Sequence, residues 1–401
     1  MECAIERGKL AAALGMVKSA VCANGLPVLR CVRLEATEDG HAEVSATNLD
    51  VYVTAKADAS VASPGVAIVN HETLARTVAT MPEGDVKLST AEGNGLVRLK
   101  VRCGSSRSAI YAMKPEEWPV VDGGKGKSQK FRTDAKVLRR AIMSVLHAAS
   151  RDTTRQNLIS VCLETAKDGF VAVAADGRRM AAFCHPAAKS PPPKAKDART
   201  VTLPLRLASV ISSLLADAAG DVVADIGDRF FSARTDDWSV NGKVIDADYP
   251  NWRQVIPRPD LYSTKVEADR SELLRALHAV EVSGSEIDRG GLFAVMKVAP
   301  SGLVSFDSAT DGSSSHAELK AGGDLPAKAV TCGINIKNYL DALGASVDDE
   351  VEMLLSEDVP PVMFRSASGL IEVVMGVKPG MTLAQAINGN NNGNNNGNGE
   401  D

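Results

Sequence analysis

The sequence predicts an α+β fold of three tandem copies of one unit, each with two helices packed on antiparallel sheet. Three observations carry this: a stretch that recurs at fixed offsets, a second match located by the same offsets, and short alternating apolar and polar runs between helical segments. Residues 130–145, KFRTDAKVLRRAIMSV, align with 265–280, KVEADRSELLRALHAV, at an offset of 135. Asp134 falls on Asp269, Leu138 on Leu273, Arg140 on Arg275, Ala141 on Ala276 and Val145 on Val280. At an offset of 128, Glu6, Leu10, Ala13 and Val17 fall on Asp134, Leu138, Ala141 and Val145. The two offsets then bring together Ala46-Thr47-Asn48, Ala174-Ala175-Asp176 and Ala309-Thr310-Asp311. An Asx-Gly turn follows at Asp176-Gly177 and Asp311-Gly312, where the first copy has Asn48-Leu49.

Each copy opens with a helix, because apolar residues recur at helical spacing behind an early acidic residue, Glu6, Asp134 or Asp269, placed to complement the helix N-terminus. Strands follow: Val32-Arg33-Leu34-Glu35 and Leu99-Lys100-Val101-Arg102 alternate as half-exposed antiparallel strands do. A second helix is predicted near 70–81, 204–217 and 333–345, the middle one with Pro204 in its first turn. Gly123-Gly124-Lys125-Gly126-Lys127 links the first two copies, and Pro257-Arg258-Pro259 marks the join to the third. The expected domains are 1–122, 128–258 and 259–379. Lys189-Ser190-Pro191-Pro192-Pro193-Lys194 is a surface insertion in copy two. Residues 388–399 are all Asn or Gly and can bury nothing, so 380–401 is expected to be a disordered tail.

With 401 residues and 44% hydrophobic side chains, the chain has material for several cores. Aromatics at 4% argue against a base-stacking or carbohydrate platform, and a net charge of −5 argues against gripping nucleic acid over the whole surface. Seven scattered cysteines with no C-x-x-C pair fit reduced, buried thiols rather than disulfides or a zinc module. No stretch approaches the ~18 apolar residues of a membrane span, and the start lacks a signal-peptide pattern. A cytoplasmic location is expected.

Chemical motifs are sparse. Gly126-Lys127-Ser128 lacks the glycine a phosphate-binding loop needs where Val121 stands, and reads as linker. Ser105, Ser106, Ser108 and Ser313 to Ser315 lie outside any G-x-S-x-G elbow. Asp246 and Asp248 would share one face of a strand, as metal ligands or as solvated charges, without a third ligand near in sequence. His41, His71, His147, His185, His278 and His316 are scattered, with none paired at metal or acid–base spacing. No catalytic residue, metal or cofactor is expected. The six helical segments total +3 and everything else −8. That imbalance suits a phosphate-tracking surface, although helix faces are also often basic without one.

Five stretches then occur in fixed order: Leu26-Pro27-Val28-Leu29; Met81-Pro82-Glu83-Gly84; Val173 through Met180, with A-x-D-G-x-R-[LM]; Asp248 through Pro257, with [FY]-P-[DN]-[YW]-x-x-[VL]-[IL]-P; and Val373-Val374-Met375. In these the chain, over residues 1 to about 378, resembles the bacterial sliding clamp family, the beta subunit of DNA polymerase III. The resemblance implies three clamp domains per chain and a head-to-tail dimer closing a ring around duplex DNA without sequence specificity. It implies a processivity factor with no catalysis of its own, which tethers polymerase. The helix cations expected to line the channel are Arg7, Lys9, Lys18, Arg76, Lys136, Arg139, Arg140, Arg206, Arg275 and Lys337.

A second implied site is an apolar cleft for a short partner peptide. Carried over residue by residue, it comprises Leu158, Ala175, Gly177, Arg178, Met180, Pro250, Val255, Val359, Pro361, Val373, Met375 and Val377. Met180 and Met375 are expected to be exposed, since methionine adapts to several peptides. The implied dimer interface joins Arg107, Ser108 and Ile110 to Val280 and Val282 of a second copy. Implied partners are duplex DNA, a second copy of the chain, the DNA polymerase III alpha subunit, the clamp loader complex and other proteins carrying a clamp-binding motif, with no membrane.

The chain departs from the family pattern at Ser108, often aromatic; at Ala23-Asn24-Gly25 and Glu72, where positive side chains are common; and at Asn338 and Gln254, in place of an aromatic and an arginine. Family chains usually stop after the Val-Val-Met strand, whereas this one continues past Gly376-Val377-Lys378. The tail would emerge beside the cleft and modulate peptide access. An alternative function is a clamp-like scaffold or accessory clamp from a mobile element that competes for clamp partners.

Overall fold

A computed structural model of the protein describes residues 1–93, 95–119, 128–167, 169–188, 192–286, 292–310, 312–357 and 359–377. The Gly123–Lys127 linker, residues 189–191 of the insertion, Asp311 and the tail from 378 onward lie outside the described residues. Copy one runs β1 (Glu2–Glu6), α1 (Arg7–Val17), β2 (Cys31–Ala36), β3 (His41–Thr47), β4 (Val51–Asp58), β5 (Ser60–Ser63), β6 (Gly65–Asn70), α2 (His71–Ala79), β7 (Asp85–Gly93), β8 (Leu96–Cys103) and β9 (Ser106–Met113). Copy two runs β10 (Gln129–Asp134), α3 (Ala135–Leu146), β11 (Ser160–Ala166), β12 (Gly169–Ala175), β13 (Arg179–His185), β14 (Arg199–Pro204), α4 (Leu205–Leu214), β15 (Asp221–Ile226), β16 (Phe230–Arg234) and β17 (Trp238–Lys243). Copy three runs β18 (Thr264–Asp269), α5 (Arg270–Glu281), β19 (Ser285–Glu286), β20 (Leu292–Val298), β21 (Leu303–Ala309), β22 (Ser314–Lys320), β23 (Gly322–Asp324), β24 (Val330–Asn335), α6 (Ile336–Ala345), β25 (Glu350–Leu355), β26 (Pro361–Arg365) and β27 (Leu370–Met375). Both helices of every copy fall where the periodicity places them.

The helices begin where capping chemistry allows. Asp134 Oδ1 accepts from the Lys136 and Val137 amides, and Asp269 from Glu272 N at 2.9 Å. Asn70 and Asn335 accept at the starts of α2 and α6, whereas Glu6 makes no capping bond. Pro204 stands one residue before α4 rather than within its first turn, ending β14. None of these helices is long and apolar enough to cross a membrane.

By compactness the chain divides into one unit of residues 1–142 with 201–247, and another of 143–200 with 248–401, so the cut passes through copy two. In the first unit a thirteen-stranded sheet runs β10-β15-β16-β17-β4-β3-β2-β6-β9-β8-β7-β1-β5. Strand β8 buries Leu99, Val101 and Cys103 while Lys100 and Arg102 point outward, the period-two pattern of a half-covered sheet. Leu10, Leu14 and Val17 of α1 and Leu74 and Val78 of α2 are fully buried, each stabilising by about 1.5–3 kcal/mol. In the second unit the strands run β11-β12-β13-β27-β26-β25-β18-β23, and a smaller sheet carries β20, β21 and β22, with β19 and β24 both paired to β20. Helices α5 and α6 close the core there through Leu273, Leu277, Tyr339 and Leu343. Burial pushes the Cys162 and Cys332 thiols up to about 12 and Cys184 to about 11, and all seven cysteines are free.

Copies are joined through strand edges. The last strand of copy two, β17, pairs with the fourth strand of copy one, β4, at Ser239↔Thr54. The last strand of copy three, β27, pairs with the fourth of copy two, β13, at Ile371↔Ala182. The turn preceding β4, β13 and their counterpart β22 is closed by Asn48 N→Val51 O, Asp176 N→Arg179 O and Thr310 N→Ser313 O. Thr310 therefore holds the place of Asn48 and Asp176, and the third copy is offset by 134 here rather than 135. Leu49 takes the turn's left-handed residue at φ 78°, where copy two has Gly177 at 89°. A left-handed conformation costs a side-chain-bearing residue about 1–2 kcal/mol, and Leu49 is exposed. Leu49→Gly should therefore stabilise the first unit by up to about 1 kcal/mol, seen as a higher urea midpoint with unchanged slope.

Candidate functional site

Strands β11–β13 are buried at every position from Val161 to Thr165, Phe170 to Ala174 and Met180 to Cys184, so both faces of this sheet are covered. On one face Cys162, Val171, Val173, Met180, Ala182 and Cys184 cluster with Ile371, Val373, Met363 and Leu354, and Trp252 caps them, flanked by Tyr249, Ile256 and Tyr262. The segment from Tyr249 to Tyr262 thus lies on this face. Arg253 fixes it by a forked ion pair to Glu164 (2.5 and 3.0 Å), a bond from Nε to Pro192 O (2.9 Å) and stacking on Trp252 at 4.2 Å.

The rim of this cluster is where the sequence-derived cleft residues meet. Register sets Met180 opposite Val373, Ala175 opposite Met180, and Pro361 opposite Met375, and Met375 N donates to Arg178 O at 2.8 Å. Val255 is 53% and Met375 41% exposed, with Pro250, Gly177 and Arg178 also at the surface. Leu158, Ala175, Val359 and Val377 are half-buried. Met180 is not exposed as expected: it is 1% accessible, as is Val373, because alternation turns both toward Trp252, and Pro361 is buried too. These three form the floor, leaving Met375 as the accessible methionine of the set.

Beside the rim is a cavity of about 280 Å³ lined by Arg151, Arg155 and Arg178 with Ser150, Asp152 and Asp176. The φ of +89° at Gly177 is left-handed, which favours glycine, and a Cβ there would lie 2.8 Å from Arg155 Nη1, so that a larger residue would displace the Arg155 side chain. Arg151 and Arg155 went unnoticed because they are remote from the Asp-Gly turn in sequence.

Beneath the turn, Arg179 donates to Asp176 (3.2 Å), Asp341 of α6 (2.7 Å) and His147 O (2.6 Å). Glu372 of β27, 1% accessible, meets His147 Nε2 at 3.3 Å. Burial raises the Glu372 pKa, against the opposing pull of His147 and Arg179. Scattered in sequence, His147 and Glu372 stand 225 residues apart and only the fold unites them.

The candidate DNA-facing cations lie on or beside the helices. Lys18, Arg76, Lys136, Arg206, Arg275 and Lys337 are exposed, and Arg139 and Arg140 half-buried. Arg7 is held by Glu83 at 2.6 Å, Lys9 by Asp58 at 2.5 Å and Arg275 by Glu272 at 3.3 Å. Within the observed helix limits ten Lys and Arg stand against four Asp and Glu, a balance of +6 that leaves −11 elsewhere. This exceeds the expected +3 because Glu6, Asp134, Asp217 and Asp269 fall outside the helices, partly offset by Lys18, which also falls outside. Asp246 and Asp248 are exposed on irregular chain after β17, not on a strand, and no metal-ligand cluster occurs among the described residues.

Residues 1–122 match the N-terminal domain, and 132–251 the central domain, of the DNA polymerase III beta subunit model. The chain belongs to the DNA polymerase III beta subunit family. It is 26% identical to the beta sliding clamp of Caulobacter vibrioides over 369 residues, covering 90% of this chain and 95% of that one. To the Pseudomonas putida beta sliding clamp it is 24% identical over 346 residues, 85% and 89% of the two chains. The structure of DNA polymerase III subunit beta from Pseudomonas aeruginosa superposes with a TM-score of 0.83 at 23% identity, over 94% of this chain and 100% of that one.

Of the interface residues carried over from the family, Arg107, Ser108 and Ile110 lie on β9. Val280 is fully buried in α5 and cannot form a surface contact, while Val282, just after α5, is 85% exposed. The edge strand beside α5 is β22, paired only with β21 among the described residues. Arg179→Met would strand Asp341 and Asp176 and remove a neighbour of buried Glu372. It should cost the second unit on the order of 3 kcal/mol, measured by chemical denaturation, with Arg179→Lys recovering only part.

Proposed function

We propose that this chain is a DNA sliding clamp: two copies close head to tail into a ring that encircles duplex DNA and tethers a polymerase. The observation that carries this is the edge pattern of the repeat. Two last-strand to fourth-strand junctions are made within the chain, β17 to β4 and β27 to β13. One last strand, β9, which meets β6 only at Ala112 and Met113, and the copy-three counterpart of β4 and β13, β22, remain among the described residues. A second copy supplies the complement of each, and a twofold arrangement pairs both.

A ring retains DNA by topology, so its phosphate contacts need only be weak and sequence-blind. A helix balance of +6 within an otherwise acidic chain fits that requirement. The rim of Val255, Met375, Leu158 and Ala175 over a buried apolar floor supports capture of a hydrophobic peptide anchor. Arg151, Arg155 and Arg178 beside it favour acidic residues in that peptide. Polymerase and an ATP-driven loader are the partners this implies, and no residue takes a catalytic role. The ion pairs on Arg7 and Lys9 support the second reading, a clamp-shaped scaffold that competes for partners without encircling DNA.

Loading on nicked circular duplex followed by linearisation separates the two. A ring is retained on the circle and slides off the line, whereas equal behaviour on both overturns the clamp reading. Arg139→Glu with Arg140→Glu should lower retention by about tenfold at moderate salt. Met375→Asp should weaken peptide binding by at least about tenfold while ring closure is unchanged, measured by fluorescence anisotropy beside gel filtration.

A further inference from the structure

The two junctions inside the chain define the register of the one between chains. Arg102, Arg234 and Arg365 occupy the same place in the three copies: each pairs with the third residue of the preceding strand, Lys87, Val223 or Glu352. Their partners on the last strands are Arg107, Ser239 and Ile371. On β4, β13 and β22, the turn hydrogen bonds make Thr54, Ala182 and His316 equivalent. Both observed junctions agree, since Ser239 is opposite Thr54 and Ile371 opposite Ala182. The same frame sets Arg107 opposite His316 of a second copy, and Ser108 opposite Ser315.

The side chains in this row differ sharply among the junctions. It reads Ser239, Thr54, Ser45 at the first, with the two hydroxyls of Ser45 and Thr54 bonded at 2.9 Å. At the second it is Ile371, Ala182, Val173, all apolar. Between chains it is Arg107, His316, Asp307. Lys87, Arg102 and Arg107 stand side by side across β7, β8 and β9, all exposed. On the other edge His316 contacts Asp307 at 2.7 Å and Glu318 at 3.5 Å. Its outward neighbours on β22 are Ser314 and Lys320, while Ala317 and Leu319 face the core beneath α5. Arg275, His278 and Glu281 belong to α5, on the side away from His316.

We propose that ring closure is proton-linked through His316, whose neutral form is the one that accepts Arg107. The inference rests on the head-to-tail closure proposed above. With His316 neutral, Asp307 and Glu318 present two negative charges to the three cations of the arriving edge. A proton on His316 cancels one of them and sets two like charges directly opposite, which destabilises a strand pair. In the open chain Asp307 and Glu318 raise the imidazole pKa above its ordinary value, and Arg107 lowers it again by competing for both carboxylates. A group whose pKa falls on closure favours closure above its open-chain pKa and opposes it as pH drops. Weakening therefore begins on the alkaline side of the ordinary imidazole value of 6.5.

The test uses the full chain. Ser108→Cys with Ser315→Cys, away from the charged row, should give an interchain disulfide on mild oxidation. If neither this crosslink nor a dimer is seen, the closure itself fails and the proton linkage with it. Sedimentation equilibrium should give a wild-type dimer constant at least about tenfold weaker at about pH 6 than at about pH 8. His316→Gln should still dimerise, with that difference reduced to about twofold or less. A crosslinked dimer whose wild-type constant is flat with pH, or a His316→Gln profile parallel to wild type, overturns the proposal while leaving the closure standing.

Discussion

Pairing of exposed strand edges governs this molecule. An antiparallel edge carries a row of unsatisfied amides and carbonyls that must be paired, covered or left as a liability. Each repeat copy has two edges of this kind by which copies can join, at its last strand and at the strand after the Asx-type turn, β4, β13 or β22. The chain satisfies four of the six by joining β17 to β4 and β27 to β13, so three similar units become continuous sheets rather than beads on a linker. Because the side-chain period is two, a slip of one residue at either junction would turn Trp238 and Val240, or Ile371 and Val373, away from the cores they fill. That penalty explains why the two junctions share one register.

The same constraint explains why the apolar site occurs where copies two and three meet and not where copies one and two meet. At the second junction the outward row is Ile371, Ala182 and Val173, which roofs itself with Trp252 and leaves Met375 and Val255 at the rim. At the first junction Ser239, Thr54 and Ser45 occupy those places, and the hydroxyls of Ser45 and Thr54 bond to each other. Hydroxyls at these positions offer no apolar floor. Trp118 approaches Tyr52 there edge-on, at 6.5 Å, instead of capping a cluster. One shared strand register therefore carries an apolar row at one junction and a hydroxyl row at the other, and the difference resides in these three side chains of each row.

Much of this was legible in the sequence because it depends on local periodicity. The six helices and the antiparallel strands follow from spacing and chemistry near each residue, whereas the exposed Met375 follows from the family resemblance. What escaped depends on the opposite face or on distant chain. Met180 and Met375 have the same chemistry, but Met180 lies in a strand covered on both sides, which no single-strand pattern reveals. Val280 reads as a surface residue only until α5 is seen to bury it, passing the edge role to β22. His147 with Glu372, and Arg179 with Asp341, are pairs made by topology alone. The sequence offset was off by one at Thr310, where the backbone bond to Ser313 O closes the turn as it does at Asn48 and Asp176, while the threonine hydroxyl meets Ser313 instead of accepting from backbone amides as the Asn48 and Asp176 side chains do.

The distribution of charge follows from the same economy of contacts. A protein that had to hold DNA by affinity would keep its helix cations unpaired, since each phosphate contact adds steeply salt-dependent binding. Here Arg7 and Lys9 are taken up by Glu83 and Asp58, whereas Lys136, Arg206 and Lys337 stay exposed. Strong contacts would also resist movement along the duplex, because every step would break and remake them. A closed ring removes the need for them, and the modest net charge on the helices is then an advantage for sliding. What must be strong is the seam that keeps the ring shut. In the proposed closure that seam would set Lys87, Arg102 and Arg107, in a row on one edge, against Asp307 and Glu318 on the other. Ser108, small and hydroxylated, gives that edge little apolar area to bury, so charge complementarity has to supply more of the proposed closure.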